Sequence, residues 1–312
     1  MHDVELVDST VPPLLSFDAG GAVVGVGIHM TGRRLIVCTD TGLTLFALGP
    51  CASTVGSKPS LADHGSLNMT MLDTLLFDEG ATVVAFTSSD DAVAVALRMS
   101  KTPAQRTMIC YKATRHGLNV MATRSTALPI STLALPDRGE RLFVGSLTKD
   151  GDANMHCMRD FKQKNATRVG KGSKGVASRI AASAWIPSER HVAAGHDNGT
   201  IALINAEEPE GGSCLAKDTD VAISSLHGCS LSTLLAGTAG GEVLVYQLEL
   251  KPMAMRLLQR LSLSAEETGA PILSVVMHMN ELIFAACSLH ESERPICLKG
   301  SFEPPAPEVR GR

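Results

Sequence analysis

The sequence is short of aromatic side chains, which make up 4% of its 312 residues and include one tryptophan and two tyrosines. Proteins that stack on single-stranded nucleic acid normally present more aromatic surface than this. Long apolar runs are also missing, since no stretch approaches the roughly 18 to 20 apolar residues of a membrane-spanning helix. The apolar fraction of 44% is still ample for a buried core, which excludes a wholly disordered chain.

The opening residues 1–8 are acidic, where a secretory leader would be basic and then apolar. The eight cysteines form no C-x-x-C pair, and Cys38 and Cys287 lie in apolar runs where a reduced thiol packs as a small hydrophobe. A disulfide framework is not expected in a chain of this length without a leader. We therefore predict eight free thiols and an intracellular protein of a reducing compartment, the cytoplasm or the nucleus.

Known catalytic and metal-binding motifs are absent as well, since neither G-x-S-x-G nor H-E-x-x-H nor a paired Cys/His spacing occurs. The glycine-lysine stretch 170–175 lacks the G-x-x-x-x-G-K-[ST] order of a phosphate-binding loop. His191 and His196 are five residues apart along an expected strand and its turn, which points them to opposite faces. The sequence predicts no catalytic, cofactor or metal site, and we expect that the protein is not an enzyme.

What the sequence does contain is an internal repeat of short apolar strands and polar turns. In the clearest copy, strands over Ile180–Trp185 and His191–His196 are followed by the turn Asp-Asn-Gly at 197–199 and a third strand over 200–204. Asp-Asn-Gly supplies the positive φ that a tight hairpin requires. Similar units are found at 23–48 and 222–246, and weaker ones at 71–97, 130–158 and 272–298.

The spacing of the units indicates their size. The turns before the third strand fall 49, 60, 48, 42 and 50 residues apart, at Gly42, Asp91, Gly151, Gly199, Gly241 and about Glu291. Insertions into a common unit of about 40 to 45 residues and four strands produce this pattern, and such a unit is a propeller blade whose neighbours bury its faces. We interpret the segment 253–263 as the outer strand of a blade. The predicted fold class is all-β, a single β-propeller of six or seven four-stranded blades.

The segment 193–205 resembles the second half of a WD40 repeat, with similar wording at 37–48 and 235–247. The resemblance covers about 25–305 and is to a degenerate form, because Ile204-Asn205 stands where the Trp-Asp dipeptide would be. It implies a non-catalytic scaffold subunit that mediates protein–protein interactions within a multiprotein complex. A propeller enzyme with a metal or carboxylates in its channel is an alternative that would require acid and histidine sets at the blade starts, and none is visible.

The resemblance leaves two interpretations of the blade number, because the family usually has seven blades and six are visible. A divergent seventh blade could lie in 98–128. Alternatively, the propeller has six blades and an open edge that a partner strand or blade completes, with 14–17 as the outer strand of the first blade. The predicted organisation is an N-terminal strand and extension over 1–22, the propeller over 23–300 and a proline-rich flexible tail over 301–312.

The charge of −4 hides a strong asymmetry along the chain. Residues 1–91 carry −8, residues 92–179 carry +11 and residues 180–312 carry −7. The basic sector 98–179 could contact RNA or an acidic protein surface, or it could be only a solvated surface. Its candidate contact residues are Arg98, Lys101, Arg106, Lys112, Arg115, Arg159, Lys162, Lys164, Arg168, Lys171, Lys174 and Arg179.

The sequence thus favours an interaction scaffold whose partners are other protein subunits, with an RNA- or ribonucleoprotein-binding propeller as the alternative. Loops near 30–33, 78–80, 187–190 and 228–232 form one candidate binding face. No cofactor and no membrane span are expected.

Overall fold

The structure is a computed structural model that describes residues 8–11, 13–16, 21–28, 34–49, 68–77, 82–88, 93–99, 106–114, 117–126, 130–135, 141–147, 153–159, 162–168, 178–187, 190–206, 213–263, 271–278, 282–288 and 295–298. Within these residues the regular structure is entirely β-strand. The strands are β1 (Asp8–Val11), β2 (Pro13–Ser16), β3 (Val23–Ile28), β4 (Arg34–Thr39), β5 (Gly42–Gly49), β6 (Asn68–Leu76), β7 (Thr82–Ser88), β8 (Val93–Met99), β9 (Arg106–Thr114), β10 (Gly117–Thr126), β11 (Ile130–Ala134), β12 (Arg141–Leu147), β13 (Ala153–Arg159), β14 (Lys162–Arg168), β15 (Ile180–Trp185), β16 (His191–His196), β17 (Ile201–Asn205), β18 (Ser213–Ala216), β19 (Ile223–Ser230), β20 (Thr233–Thr238), β21 (Glu242–Leu250), β22 (Met253–Leu263), β23 (Ile272–His278), β24 (Leu282–Ser288) and β25 (Pro295–Leu298).

The strands that the structure describes form six sheets, each built on an up-and-down antiparallel run of consecutive strands. Sheet I is β3–β6, sheet II β7–β10, sheet III β11–β14 and sheet IV β15–β18. Sheet V is β19–β22 with β1 added, and sheet VI is β23–β25 with β2 added. The predicted all-β class is confirmed, and the segment Met253–Leu263 is the fourth strand of its sheet, as the flanking repeats indicated.

The six sheets are arranged in a closed ring, which is the arrangement of a β-propeller. The first strand of each sheet contacts the first strand of the next, in the order β3, β7, β11, β15, β19 and β23, and β23 contacts β3 again. A blade is therefore packed on both faces by its neighbours, and strands that are buried on both faces carry nearly continuous apolar runs. The second strands show this most clearly, since all six residues of β16 and of β20 are buried.

The six described sheets share one local irregularity. In each sheet, one residue near the start of the first strand has no register partner on the second strand. The register skips from Ile180 to Ala182 in sheet IV, for example, and from Ile223 to Ser225 in sheet V. A β-bulge of this kind adds twist and bends the strand. The common bulge identifies the six sheets as copies of one unit, which the sequence shows as a valine or isoleucine near the start of every first strand.

The turns predicted at Asp-Asn-Gly and Gly-Gly are confirmed. Gly199 has a φ of +82° and Gly241 a φ of +84°, a region that L side chains rarely adopt. Each closes the connection from the second strand to the third, and the amide of Gly199 donates to the carbonyl of His196 at 3.2 Å. A Cβ at position 199 would also lie 2.1 Å from the Thr219 carbonyl oxygen. Both the backbone conformation and the space available therefore require glycine at this position.

The N-terminal strands differ from the prediction. The segment 14–17 was expected to be the outer strand of the first blade, but the described part of it, in β2, pairs with β25 of the last sheet. The physical reason is that the last sheet has only three strands of its own and the ring brings the start of the chain to its open edge. The preceding strand, β1, pairs in parallel with β22 as a fifth strand of sheet V.

The segment 98–128 does not form a blade of its own. Its described strands, β9 and β10, continue sheet II, because β9 pairs with β8 and β10 pairs with β9. A length of 60 residues between two of the predicted turns therefore reflects a longer blade and its connections.

Candidate interaction surfaces

The connections between first and second strands, and between third and fourth strands, lie at one end of the ring, which we call the first-turn end. Two of the predicted loops meet there. Gly228 at the end of β19 lies against the end of β15, where a Cβ would come within 2.1 Å of the Trp185 carbonyl oxygen. The described residues of 187–190 and 228–232 therefore form one surface on sheets IV and V, while 30–33, 78–80 and 188–189 lie outside the described residues.

Hydrogen bonds hold both turns of this surface. The amide of Ile186 donates to the His191 carbonyl at 2.9 Å, and the amide of Leu248 donates to the Ser232 carbonyl at 2.8 Å. Arg190 is exposed, and Leu231 at the tip of its turn is 58% exposed. The surface thus presents a cation and an apolar tip on fixed backbone, which is a combination that can bind a partner protein.

The opposite, second-turn end of sheet IV contains a fully buried histidine. The Nδ1 atom of His196 lies 3.0 Å from the Ser178 carbonyl oxygen, and because a carbonyl can only accept, Nδ1 carries the proton. Nε2 is buried without a hydrogen-bond partner among the described atoms. Burial lowers the pKa of His196 below its ordinary 6.5, although the Ser178 carbonyl and Asp197 act in the opposite direction. The imidazole is therefore neutral and structural.

Burial favours the protonated thiol at three of the described cysteines, Cys38, Cys110 and Cys214. Cys38, Cys110, Cys214 and Cys229 are not in disulfides, as predicted for these four. Burial raises the pKa of the Cys38 thiol strongly, with a further contribution from Asp40, and burial also raises the pKa values of Cys110 and Cys214. Protonated thiols are poor nucleophiles and poor metal ligands.

No cluster of three or more histidine, cysteine, aspartate or glutamate residues suited to a metal ion occurs within the described ranges. The same residues contain no helix that could span a membrane.

The basic residues are placed on sheets II and III but divided between the two ends of the ring. Arg98 and Arg106 flank the connection from β8 to β9, at the second-turn end, whereas Lys112 lies opposite Val93 at the first-turn end. Lys112 is exposed. The structure therefore does not gather the first half of the basic sector on one end.

The second half is divided in the same way. Arg159 and Lys162 are directly opposite each other at the turn between β13 and β14, at the first-turn end. Arg168 lies at the other end of β14, opposite Asn154, and Lys164 occupies the position where the register shifts. Arg179 is exposed just before β15. The remaining candidates are outside the described residues, namely Lys101, Arg115, Lys171 and Lys174.

A group of exposed apolar side chains on two outer strands was not predicted. Of the eight large apolar side chains that are exposed in the described residues, five lie on the fourth strands of sheets I and II. We call these five the outer apolar surface: Met71, Leu72 and Leu76 on β6, with exposures of 64%, 41% and 75%, and Val120 and Met121 on β10, with exposures of 55% and 58%.

A specific contact joins the two strands of this surface. The carboxylate of Asp73 on β6 accepts a hydrogen bond from the amide of Leu118 on β10 at 2.8 Å. The neighbouring Gly117 has a φ of +149°, and a Cβ there would lie 2.4 Å from the same carboxylate. The outer strands of two sheets are thus fixed to each other, and the five exposed apolar residues of the rim lie on these two neighbouring strands.

The chain has solved structures to which it is similar, all with low sequence identity. RRP9 WD40 repeats match with a TM-score of 0.61 and 11% identity, over 96% of this chain and 100% of that one. Sqt1 from Chaetomium thermophilum, bound to the N-terminus of the ribosomal protein L10, matches with 0.52 and 14%, over 87% and 71%. The β-propeller domain of Cps50 (Swd1) from Myceliophteria thermophila matches with 0.58 and 12%, over 92% and 99%.

No family model matches the sequence, and neither does any curated protein. The likeness at 11 to 14% identity is one of fold. Together with the closed ring of six sheets in the described residues, it shows that this chain has the β-propeller fold, which RRP9 WD40 repeats and the Swd1 domain also have.

Proposed function

We propose that the protein is a non-catalytic scaffold subunit of a multiprotein complex in the cytoplasm or nucleus. The observation that carries the proposal is the outer apolar surface on the ring, because exposed apolar side chains that are gathered on one part of a protein surface mark interaction sites. The first-turn end of sheets IV and V offers a second contact. The structure of Sqt1 bound to the N-terminus of ribosomal protein L10 gives an example of this fold that holds a segment of a partner.

The proposal includes a form in which a partner strand takes part. In the described residues the ring needs no partner to close, since β2 supplies the fourth strand of sheet VI. A partner strand would therefore add to an outer edge instead of filling a gap in the ring.

The test is affinity purification of the tagged full chain from its native cells at low and high salt, with and without nuclease. We expect a fixed set of proteins that survives both treatments. Three variants identify the surface: Leu76→Lys on the rim, Leu231→Asp at the first-turn end, and Val221→Asp, an exposed apolar site elsewhere, as the matched control. Partners that are lost only with nuclease would contradict the scaffold proposal.

A second candidate function is binding of RNA or of an acidic protein surface by the basic sector 98–179. The observation that favours it is the register of sheet III, in which Arg159 lies directly opposite Lys162. Two basic residues at paired positions of one hairpin concentrate positive charge along the chain, which favours an anionic partner. Exposed Lys112 lies at the same end of the neighbouring sheet II.

A labelled single-stranded RNA of 20 nucleotides tests this function by fluorescence anisotropy between 50 and 200 mM salt. Phosphate contacts release counterions, so the logarithm of the affinity should fall steeply with the logarithm of the salt concentration, by roughly 0.7 per contact. The double variant Arg159→Glu/Lys162→Glu should weaken binding at least tenfold. Arg256→Glu, an exposed cation outside the sector, is the control, and an equal loss there would exclude a specific sector.

A further inference from the structure

We propose that the second-turn end of sheets II and III binds an acidic segment of a partner protein, rich in aspartate and glutamate. The inference rests on the proposed scaffold function, and it specifies the chemistry of one partner segment and the part of the ring that receives it. Five arginines form the surface, which we call the basic end: Arg98, Arg106, Arg124, Arg168 and Arg179.

Three of these arginines lie at adjoining strand ends of sheet II. Arg98 is the last residue but one of β8, and Arg106 is the first residue of β9. Arg124 lies opposite Met108 of β9, near the end of β10. Three neighbouring strands thus each carry an arginine near the same end of the ring.

Sheet III continues the basic end. Only the residues 127–129 separate the end of β10 from the start of β11, so that the second-turn ends of sheets II and III are directly joined. Arg168 is the last residue of β14 and lies opposite Asn154. Arg179 is exposed directly before β15. The arginines therefore extend across two sheets to the beginning of a third.

The carboxylates of the basic sector are not divided between the ends as its cations are. Each connection joins two described strand ends, which assigns every charged residue of 98–179 except Lys164 to one end of the ring. The first-turn end has six cations and three carboxylates, a net charge of +3, whereas the second-turn end has nine cations and two carboxylates, a net charge of +7. Four of these nine cations lie in connections outside the described residues and contribute only their place in the sequence, namely Lys101, Lys149, Lys171 and Lys174.

Outside the basic sector, the same end of the ring is acidic. Its other connections are neutral or net negative in the sequence, namely 17–22, 40–41, 77–81, 197–200, 217–222, 239–241, 264–271 and 289–294. The described residues among them include Asp40, Asp197, Asp218 and Asp220. An acidic segment is therefore repelled by the other sheets and attracted to the basic end, which fixes where it binds.

The residue types favour a carboxylate-bearing partner over nucleic acid. All five residues of the basic end are arginines, whose planar guanidinium group can donate two parallel hydrogen bonds to one carboxylate. Single-stranded RNA would need aromatic side chains for its bases to stack on. The segments that contain this end include no aromatic residue, namely 98–107, 124–131, 146–154 and 167–180. The turn between Arg159 and Lys162 at the first-turn end does contain one, Phe161, so that RNA binding there would be a separate surface.

Fluorescence anisotropy of a labelled acidic peptide tests the binding with the full chain. The probe is a peptide of about 12 residues that alternates glutamate and serine, and the control peptide has glutamine in place of every glutamate. The wild-type chain should bind the acidic peptide at least tenfold more tightly at 50 mM salt, and the difference should shrink at 200 mM because salt screens exposed charges. Equal binding of the two peptides would overturn the proposal.

Charge reversal locates the site. Arg98→Glu/Arg168→Glu should weaken the acidic peptide at least tenfold. The control Lys251→Glu/Arg256→Glu changes two exposed cations at the first-turn end of sheet V, and it should alter binding by less than about twofold. An equal loss in this control, or in Arg159→Glu/Lys162→Glu, would overturn the proposal, because binding would then depend on overall charge or on the other end.

Circular dichroism and thermal unfolding verify that the variants are folded. If the charge reversal unfolds the chain, Arg98→Gln/Arg168→Gln removes the same charges without adding carboxylates and should weaken the peptide at least threefold. Amide hydrogen exchange gives an independent location, since the bound peptide should slow exchange in 98–107 and 167–180 and leave 159–162 unchanged. Protection at 159–162 instead would contradict the basic end.

Affinity purification with Arg98→Glu/Arg168→Glu separates this proposal from the scaffold function. We expect the variant to lose part of the partner set that wild type retains after nuclease treatment. If the variant keeps every partner, the scaffold function stands and only this docking surface is wrong. If nuclease removes from wild type the same partners that the variant loses, RNA is the ligand of the basic end and the acidic segment is wrong.

Discussion

Two glycines next to the end of second strands set the distance between neighbouring sheets. A Cβ on Gly195 would lie 2.5 Å from Cγ2 of Ile223, and a Cβ on Gly237 would lie 2.5 Å from Cγ2 of Ile272. Each isoleucine is the first residue of the next sheet and is fully buried. The absence of a side chain at these glycines is therefore a packing requirement between sheets.

Gly195→Ala should destabilise the protein by about 1 to 3 kcal/mol, because an added methyl group in a close-packed interface forces its neighbours to move. Urea denaturation measures the free energy of unfolding. Gly240→Ala is the matched control, since its nearest contact to a Cβ would be an ordinary 3.4 Å. Combining Gly195→Ala with Ile223→Ala should show positive coupling in a double-mutant cycle. Additive losses would mean that Ile223 is not the obstructing residue.

His196 should make stability depend on pH below neutrality. Its pKa in the folded protein lies below 6.5 because of burial, so that the unfolded chain binds a proton as the pH falls through about 6.5 while the folded chain does not. With respect to this group, the free energy of unfolding is therefore highest above about pH 6.5, and it decreases as the pH falls below that value. Denaturation curves between pH 5 and 8 measure this slope.

The matched variant for this prediction is His196→Thr. Threonine occupies the same place in sheets I and V, where the side-chain oxygen of Thr39 accepts from the amide of Gly42 at 3.1 Å and that of Thr238 from the amide of Glu242 at 3.1 Å. The variant should have a shallower pH dependence than wild type. Identical slopes would assign the acid sensitivity to other groups.

At the scale of elements, polar contacts join neighbouring sheets where the apolar packing is most continuous. The indole Nε1 of Trp185 in β15 donates to the Ala134 carbonyl at 3.0 Å, and the hydroxyls of Thr132 and Ser183 are 3.0 Å apart. Both pairs cross from sheet III to sheet IV and are buried. Trp185, which was predicted to be a core residue, thus also joins two blades by a hydrogen bond.

Trp185→Phe should destabilise the protein by about 1 to 3 kcal/mol, since it leaves the buried Ala134 carbonyl without its donor. Far-UV circular dichroism must follow unfolding, because Trp185 is the single tryptophan. Leu231→Ala, at an exposed turn, should change the free energy of unfolding by less than about 0.5 kcal/mol. A loss in Trp185→Phe no larger than in this control would show that the carbonyl finds another donor.

Removal of residues 1–16 should expose the outer edges of β22 and β25 together, because β1 and β2 occupy them in the intact chain. We expect a loss of at least about 2 kcal/mol, from the backbone hydrogen bonds of two short strands, and aggregation through the open edges. Thermal unfolding and light scattering measure the two effects. Removal of residues 1–7 alone is the control, and an equal effect there would place the stabilisation outside the two strands.

At the scale of the whole molecule, the ring makes each sheet depend on two neighbours. Unfolding should therefore be a single transition, although Trp185 reports on sheet IV alone and circular dichroism reports on all sheets. Ile272→Ala in sheet VI should lower the midpoint of both signals by the same amount. A shift in circular dichroism without a shift in tryptophan fluorescence would show that the blades unfold independently.

The sequence is sufficient to predict the ring of sheets, but it does not predict the exposed apolar residues on the outer strands. Strand periodicity and turn glycines such as Gly199 are local signals, and they placed most strands within a few residues. The destination of β2 depends on a strand more than 270 residues away, and no local pattern carries that information. The outer apolar surface was missed for a related reason, because the run at Met71 and Leu72 is what a buried strand also looks like. The division of Arg98 and Lys112 between two ends followed only from the register.

The pairing of β2 with β25 also delays completion of the fold while the chain is being synthesised. The two strands are separated by nearly the whole length of the protein. At a synthesis rate of roughly 5 to 20 residues per second, β2 waits for roughly 15 to 60 s after its own synthesis before the strand that receives it exists. During that interval the growing chain has an unclosed ring with apolar faces at both ends. The protein is therefore most in need of a chaperone, or of its partner, while it is being made.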